Sequence, residues 1–169
     1  IGIPVASSFL EVKGNILLPN DKDIILLTSG SMGFGEMEEC VKKILEKIDA
    51  YLVVVCGSNE ALKEKLEKVD NKNLIVKGFI NNMNEYMNKA SVVIAKPGGL
   101  TSTEITMMRK PFVLMMPIPG VENYNALFFE SNSRIDRNKG FNDNQKKYIN
   151  RNSAKDLVDY VLNKWYTNR

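Results

Sequence analysis

Histidine is absent from this chain of 169 residues, and cysteine occurs only twice. Without histidine, neither a His-based nucleophile relay nor a His-rich metal site can be built from this chain alone. Cys40 and Cys56 are too few for a disulfide framework, and each lies in an apolar periodic run. We therefore expect both to be buried free thiols in a reducing cytoplasm.

Long apolar runs are also missing. No run approaches the roughly 20 residues that a membrane-spanning helix needs, and no signal peptide opens the chain. The chain begins at Ile1 without a methionine, so we expect it to be a fragment of a longer protein.

An excess of one charge sign is lacking too. The 23 basic and 20 acidic residues give a net charge of +3, which is too small and too dispersed to predict a nucleic-acid partner. The hydrophobic fraction of 44% and the charged fraction of 25% are typical of a globular protein. The length suits one domain with a full core.

Apolar runs typical of buried parallel strands alternate with amphipathic helices. Strands are predicted at residues 24–28, 51–56, 74–77, 92–95 and 112–115. The apolar faces of the first two intervening helices are expected to extend to Ile48 and Val69. This alternation predicts an α/β fold, a Rossmann-like parallel sheet with helices on both faces. Residues 1–19 are interpreted as an extended connector and residues 20–169 as one domain.

Glycines cluster at the carboxyl ends of these strands, which is where such sheets bind ligands. The first turn has the order Gly30-x-x-Gly33-x-Gly35, the reverse of the dinucleotide fingerprint. The second strand ends in Cys56-Gly57-Ser58-Asn59, with no acidic residue to hold a ribose. A nicotinamide cofactor is therefore disfavoured, while a phosphate-binding turn and a plain tight turn remain equally open.

A second glycine pair, Gly98 and Gly99, precedes Thr101, Ser102 and Glu104. The glycines allow a backbone to approach a diphosphate, and the two hydroxyls supply donors at a helix start. Glu104 is placed to accept hydrogen bonds from ribose hydroxyls. The spacing Thr101-x-x-Glu104 also fits a capping box, which spacing alone slightly favours.

Two further segments offer ligand contacts. Phe79 and Ile80 follow the third strand and could form an apolar shelf for a base, whereas Met83 and Met87 fit core packing better. The loop ending in Glu122 and Asn123 places a carboxylate beside an amide, as sugar hydroxyls require. A solvated loop acid is the more common alternative.

In their order and spacing, these motifs resemble the C-terminal domain of the GT-B glycosyltransferases that make glycolipids. The likeness is greatest to monogalactosyldiacylglycerol synthases and processive diacylglycerol glucosyltransferases, and more distant to the N-acetylglucosaminyltransferase that forms lipid II. It runs from Gly2-Ile3-Pro4-Val5, which resembles the family's interdomain connector, through Lys96-Pro97-Gly98-Gly99-Leu100-Thr101 to Pro117-Ile118-Pro119-Gly120-Val121-Glu122-Asn123. Val121 stands where the plant-type synthases tend to have Gln, and the likeness is weak after about Ser131.

The resemblance implies a UDP-hexose donor. Phe79 and Ile80 would hold the uracil, Glu104 the ribose, and Glu122 and Asn123 the hexose. The turn residues would contact the nucleotide, mainly at its diphosphate: Gly33, Gly98, Gly99, Thr101 and Ser102. The resemblance moves Glu104 from the capping role to the ribose role.

The resemblance further implies an inverting transfer with no metal and no other cofactor. The catalytic base would come from an N-terminal domain missing here, which would also bind the lipid acceptor, so no catalytic residue is assigned to this chain. The full protein would lie peripherally at the inner, cytoplasmic face of the membrane. A UDP-sugar 2-epimerase half and a non-catalytic nucleotide-binding module remain alternatives.

Overall fold

A computed structural model of the chain describes residues 3–28, 37–115 and 122–125. Five strands and five helices are given bounds in these ranges, and residues 123–125 are helical as well. The strands are β1 (Ile24–Thr28), β2 (Tyr51–Val55), β3 (Leu74–Lys77), β4 (Val92–Ala95) and β5 (Phe112–Leu114). The helices are α1 (Ser7–Leu10), α2 (Met37–Lys47), α3 (Glu60–Glu67), α4 (Met83–Lys89) and α5 (Gly99–Met107).

The strands form one parallel sheet in the order β3-β2-β1-β4-β5. β1 lies at the centre, with Leu26 opposite Val53 on one side and opposite Val93 on the other. From β1 the chain builds the sheet outward through β2 and β3, then returns to the other side of β1 for β4 and β5. The predicted α/β fold with a parallel sheet is confirmed.

Two apolar layers cover the sheet, as alternate residues of a strand point to opposite faces. On β1, Leu26 packs into the layer that contains Met87 of α4 and Ile105 of α5. The next residue, Leu27, packs into the layer with Val41 of α2 and Leu62 of α3. Both leucine side chains are fully buried. Helices thus lie on both faces, as the alternating pattern predicts.

Two predicted core residues are exposed instead. Ile48 is 48% exposed and Val69 is 44% exposed. Both stand just beyond their helices, since α2 ends at Lys47 and α3 at Glu67. The helical spacing therefore does not continue to either residue. Of the two thiols, Cys56 is buried as expected, but Cys40 is only partly buried.

The connector differs from the expected extended segment, because Ser7–Leu10 form the short helix α1. The domain boundary at residue 19 stays a prediction. Within the described ranges, no helix is long and apolar enough to cross a membrane.

Candidate functional site

A cavity of about 170 Å³ opens at the carboxyl edge of the sheet. Open parallel sheets bind ligands at this edge, next to the strand on whose two sides the later strands are added. In this sheet that strand is β1. The cavity walls come from the ends of β1 and β2, the turn after β3, and helices α1, α4 and α5. They consist of Phe9, Thr28, Val55, Gly57, Phe79, Ile80, Met83, Met87, Thr101 and Glu104.

The predicted base-binding shelf forms part of this cavity. Phe79 leaves 69% of its surface exposed, whereas Ile80 is half-buried against the core. An exposed aromatic ring beside a concave site is suited to stacking a flat base. Met83 and Met87 line the same cavity, and the full burial of Met87 agrees with a packing role.

The start of α5 excludes one of the two interpretations of Glu104. The helix begins at Gly99 with Gly98 as its N-cap, and the cap makes no side-chain hydrogen bond. Thr101 is therefore the third helical residue, not the cap, so a capping box from Thr101 to Glu104 does not form. That interpretation is wrong because Gly98, rather than Thr101, adopts the extended cap conformation, with φ −68° and ψ 136°.

Glu104 is half-buried in the cavity wall. Burial raises the pKa of its carboxyl from 4.5 to about 7. Desolvation is the sole cause, so no charge or hydrogen bond from the described residues offsets it. The other side chains of the wall are apolar apart from the hydroxyls of Thr28 and Thr101. The cavity therefore places one titratable acceptor in a mostly apolar surrounding.

Ser102 is not brought to the cavity. Its side chain is fully buried, and its hydroxyl has no hydrogen-bond partner among the described residues. A diphosphate contact at Ser102 stays a prediction, and the geometry offers Thr101 more directly. Gly33 lies outside the described residues.

The predicted sugar-binding residues lie near the start of α5. A Cβ atom added to Gly98 would stand 3.9 Å from Oε1 of Glu122, so the carboxylate borders the glycine turn. Asn123 is exposed beside it. Neither residue lines the cavity, so the residues predicted to contact the hexose lie next to the predicted diphosphate turn and outside the predicted base site.

Thr28, Phe9 and Asn125 are among the residues at the site that were not predicted from the sequence. Thr28 ends β1 in the cavity wall, and Phe9 reaches the wall from α1. Asn125 places its side-chain nitrogen 3.9 Å from the position of a Cβ on Gly99. A polar residue at the end of a buried strand is a readable signal, and Thr28 could have been found by it. Phe9 and Asn125 carry no comparable local signal.

A larger groove of about 650 Å³ lies between α2 and α3. Its rim is made of solvated helix side chains, including the ion pair between Lys65 and Glu38 at 2.9 Å. Its lining residues come from α2, α3 and residues 69–71, and none of them belongs to a strand or to the residues that directly follow β2 or β3. We therefore assign the candidate site to the smaller cavity.

Within the described ranges, no group of three or more Cys, Asp or Glu side chains is arranged to hold a metal ion.

Comparison with known proteins gives matches to a protein family, to individual relatives and to solved structures. Residues 24–134 match the family described as "Glycosyltransferase family 28 C-terminal domain". The processive diacylglycerol beta-glucosyltransferases of Bacillus cereus (strain AH187) and Bacillus thuringiensis (strain Al Hakam) are each 39% identical over 139 residues. These matches cover 76% of this chain and 36% of each relative. The chain thus spans about a third of the length of the curated relatives it matches.

Two solved structures share the fold. The MurG protein of Acinetobacter baumannii superposes with a TM-score of 0.52 at 25% identity, covering 67% of this chain and 35% of that one. The glycotransferase of kitacinnamycin gives a TM-score of 0.55 at 17% identity, covering 72% and 31%. At that identity the second likeness concerns the fold alone.

Proposed function

Because the chain belongs to the glycosyltransferase family 28 C-terminal domains, we propose that it is the donor-binding half of an inverting hexosyltransferase. The donor is a UDP-sugar and the acceptor a lipid such as diacylglycerol. The observation that carries this proposal is the cavity at the carboxyl edge of the sheet, where Glu104 and the exposed ring of Phe79 meet in one wall.

The nucleoside enters this cavity. Phe79 and Ile80 hold the uracil by apolar contact, and the Glu104 carboxylate accepts hydrogen bonds from the ribose hydroxyls. Charge-assisted hydrogen bonds of this kind are about twice as strong as neutral ones. Nucleoside binding thus compensates the desolvation of the Glu104 carboxylate, which has no partner among the described residues.

The diphosphate lies at the start of α5. Gly98 has no Cβ to hold the phosphate away, and the uncapped amide groups of the first turn point toward it. Thr101 adds a hydroxyl donor from the cavity wall. Gly33 and Ser102 belong to the same predicted set. Glu122 and Asn123, beside the glycine turn, contact the hexose.

The reaction is a direct displacement at the anomeric carbon. An acceptor hydroxyl attacks as the bond to UDP breaks, and the backbone amides at α5 stabilise the charge that develops on the departing diphosphate. No metal is required for that stabilisation. The base that takes the acceptor proton and the lipid-binding surface belong to the remaining part of a longer protein. Glucose is the first candidate for the sugar, since the relatives are named beta-glucosyltransferases.

A lipid acceptor places the full protein peripherally at the cytoplasmic face of a membrane. Nucleic acid has no part in this function.

Isothermal titration calorimetry with UDP, in the presence of EDTA, tests the donor site. We expect weak binding by the chain, a loss of about tenfold or more in affinity in Glu104→Ala, and no loss in Cys40→Ala. NAD and an unrelated nucleotide serve as ligand controls. Equal affinity for UDP and the unrelated nucleotide would contradict the proposal.

A further inference from the structure

The connector contributes to the cavity wall. Phe9, on α1, lines the same cavity as Phe79 and Glu104. Its side chain is half-buried and packs against the apolar layer that contains Met87 and Ile105. The segment that precedes β1 is therefore part of the site surface.

One hydrogen bond holds the connector next to Phe9, and the connector also passes close to the start of α5. The buried side chain of Asn84, on α4, donates a hydrogen bond of 3.0 Å from Nδ2 to the carbonyl oxygen of Ser8. At the start of α5, Cδ1 of Ile3 lies 3.2 Å from the position of a Cβ on Gly99. The segment thus runs from the start of α5 to the cavity, and Asn84 fixes the turn that carries Phe9.

We propose that Phe9 is a nucleoside-binding residue and that Asn84 is the positioning residue that holds it in the cavity wall. This inference rests on the proposed function and extends it. The Phe9 side chain is apolar and aromatic, so it matches the uracil ring rather than the diphosphate. An aromatic ring can stack on any base, because every base has a π-face.

This arrangement links donor binding to the connector. Nucleoside in the cavity contacts α1 and restrains residues 7–10, while displacement of α1 removes one wall of the site. Donor affinity therefore depends on where the connector lies, and the connector is better ordered when the donor is bound.

Truncation of Phe9 tests the contact. We expect Phe9→Ala to raise the Kd for UDP about tenfold in calorimetry, as loss of an aromatic–base contact does. Leu10→Ala is the matched control, because Leu10 is half-buried on the same helix but does not line the cavity. Its UDP affinity should stay within about twofold of the unmodified chain. Thermal melts establish that both variants are folded.

A double-mutant cycle tests the role of Asn84. Asn84→Ala alone should weaken UDP binding, because α1 loses its anchor. If Asn84 acts through Phe9, the same change in the Phe9→Ala background has little further effect on the UDP affinity. A residue that merely stabilises the fold gives additive losses instead.

The outcomes separate the two proposals. If the unmodified chain binds UDP but Phe9→Ala binds it equally well, the inference is wrong and the donor site stands. If Leu10→Ala loses as much affinity as Phe9→Ala, the contact assigned to Phe9 is wrong, and if the cycle is additive, the positioning role assigned to Asn84 is wrong. If the unmodified chain does not bind UDP at all, the proposed function fails, and this inference fails with it.

Discussion

At the scale of single residues, the site depends on a carboxyl group in an unfavourable place. Glu104 lies among apolar side chains, and its desolvation is not offset by the described residues. Functional sites often hold such groups, because a bound ligand can donate the hydrogen bonds that the fold does not provide. The cost of the buried carboxylate should therefore be visible in the stability of the ligand-free chain.

That cost predicts a pH dependence. The pKa of Glu104 is about 7 in the folded chain against 4.5 as its ordinary value. Between these values the unfolded chain has lost the proton while the folded chain retains it. The free energy of unfolding therefore falls as the pH rises from about 4.5 to about 7, then levels off. With allowance for solvent screening of a half-buried group, the loss is roughly 1–2 kcal/mol.

Urea unfolding at about pH 5 and about pH 8 measures this effect. The comparison is with Glu104→Gln, which keeps the shape and has no proton to lose. We expect the difference in unfolding free energy between the two chains to change with pH in the direction given. A difference that is the same at both pH values would show that Glu104 is not desolvated.

At the scale of elements, the strands could be predicted well and the helix starts less well. A buried parallel strand is a continuous apolar run, and the runs at residues 24–28 and 51–56 match β1 and β2 to within one residue. Helix starts depend on one cap residue. The spacing Thr101-x-x-Glu104 predicts a capping box, but Gly98 caps the helix and Gly99 begins it, so the helix starts earlier. The helix α1 was missed because four residues are too few to show a period.

Caps also predict a measurable contrast between two asparagines. Asn59 caps α3, and its Oδ1 accepts a hydrogen bond of 3.0 Å from the backbone amide of Leu62. Asn82 occupies the same position before α4 without a side-chain cap bond. We expect Asn59→Ala to lower the free energy of unfolding by about 1 kcal/mol and Asn82→Ala by clearly less. Urea unfolding of the two variants measures both, and equal losses would contradict the assigned cap.

At the scale of the whole molecule, stability centres on β1. It pairs on both sides, and its alternate residues enter both apolar layers. We expect Leu26→Ala, at a fully buried position, to cost about 2–5 kcal/mol of unfolding free energy. Leu17→Ala is the control, since Leu17 is 95% exposed and should change the free energy by less than about 0.5 kcal/mol. Similar losses of unfolding free energy in the two variants, measured by urea unfolding, would contradict a core centred on β1.

The strand order and the full site could not be read from the sequence. Pairing of β1 with β4 joins residues such as Leu27 and Ile94, which are distant along the chain, and no local pattern specifies that contact. The carboxyl edge was predictable, so Phe79, Thr101 and Glu104 were expected together and line one cavity. Phe9 was not, because its place in the wall depends on how the connector folds back over α4 and α5.

The wall formed by Phe9 bears on where such a domain is cut for separate study. The family match starts at residue 24, and the first strand starts there as well. A shortened chain trimmed to that point would retain the whole sheet yet discard α1. It would leave the Asn84 amide without the Ser8 carbonyl and the cavity open on one side. Crystallisation or ligand screening with so short a chain would use a cavity that lacks one wall. The shortened chain should therefore start before residue 3.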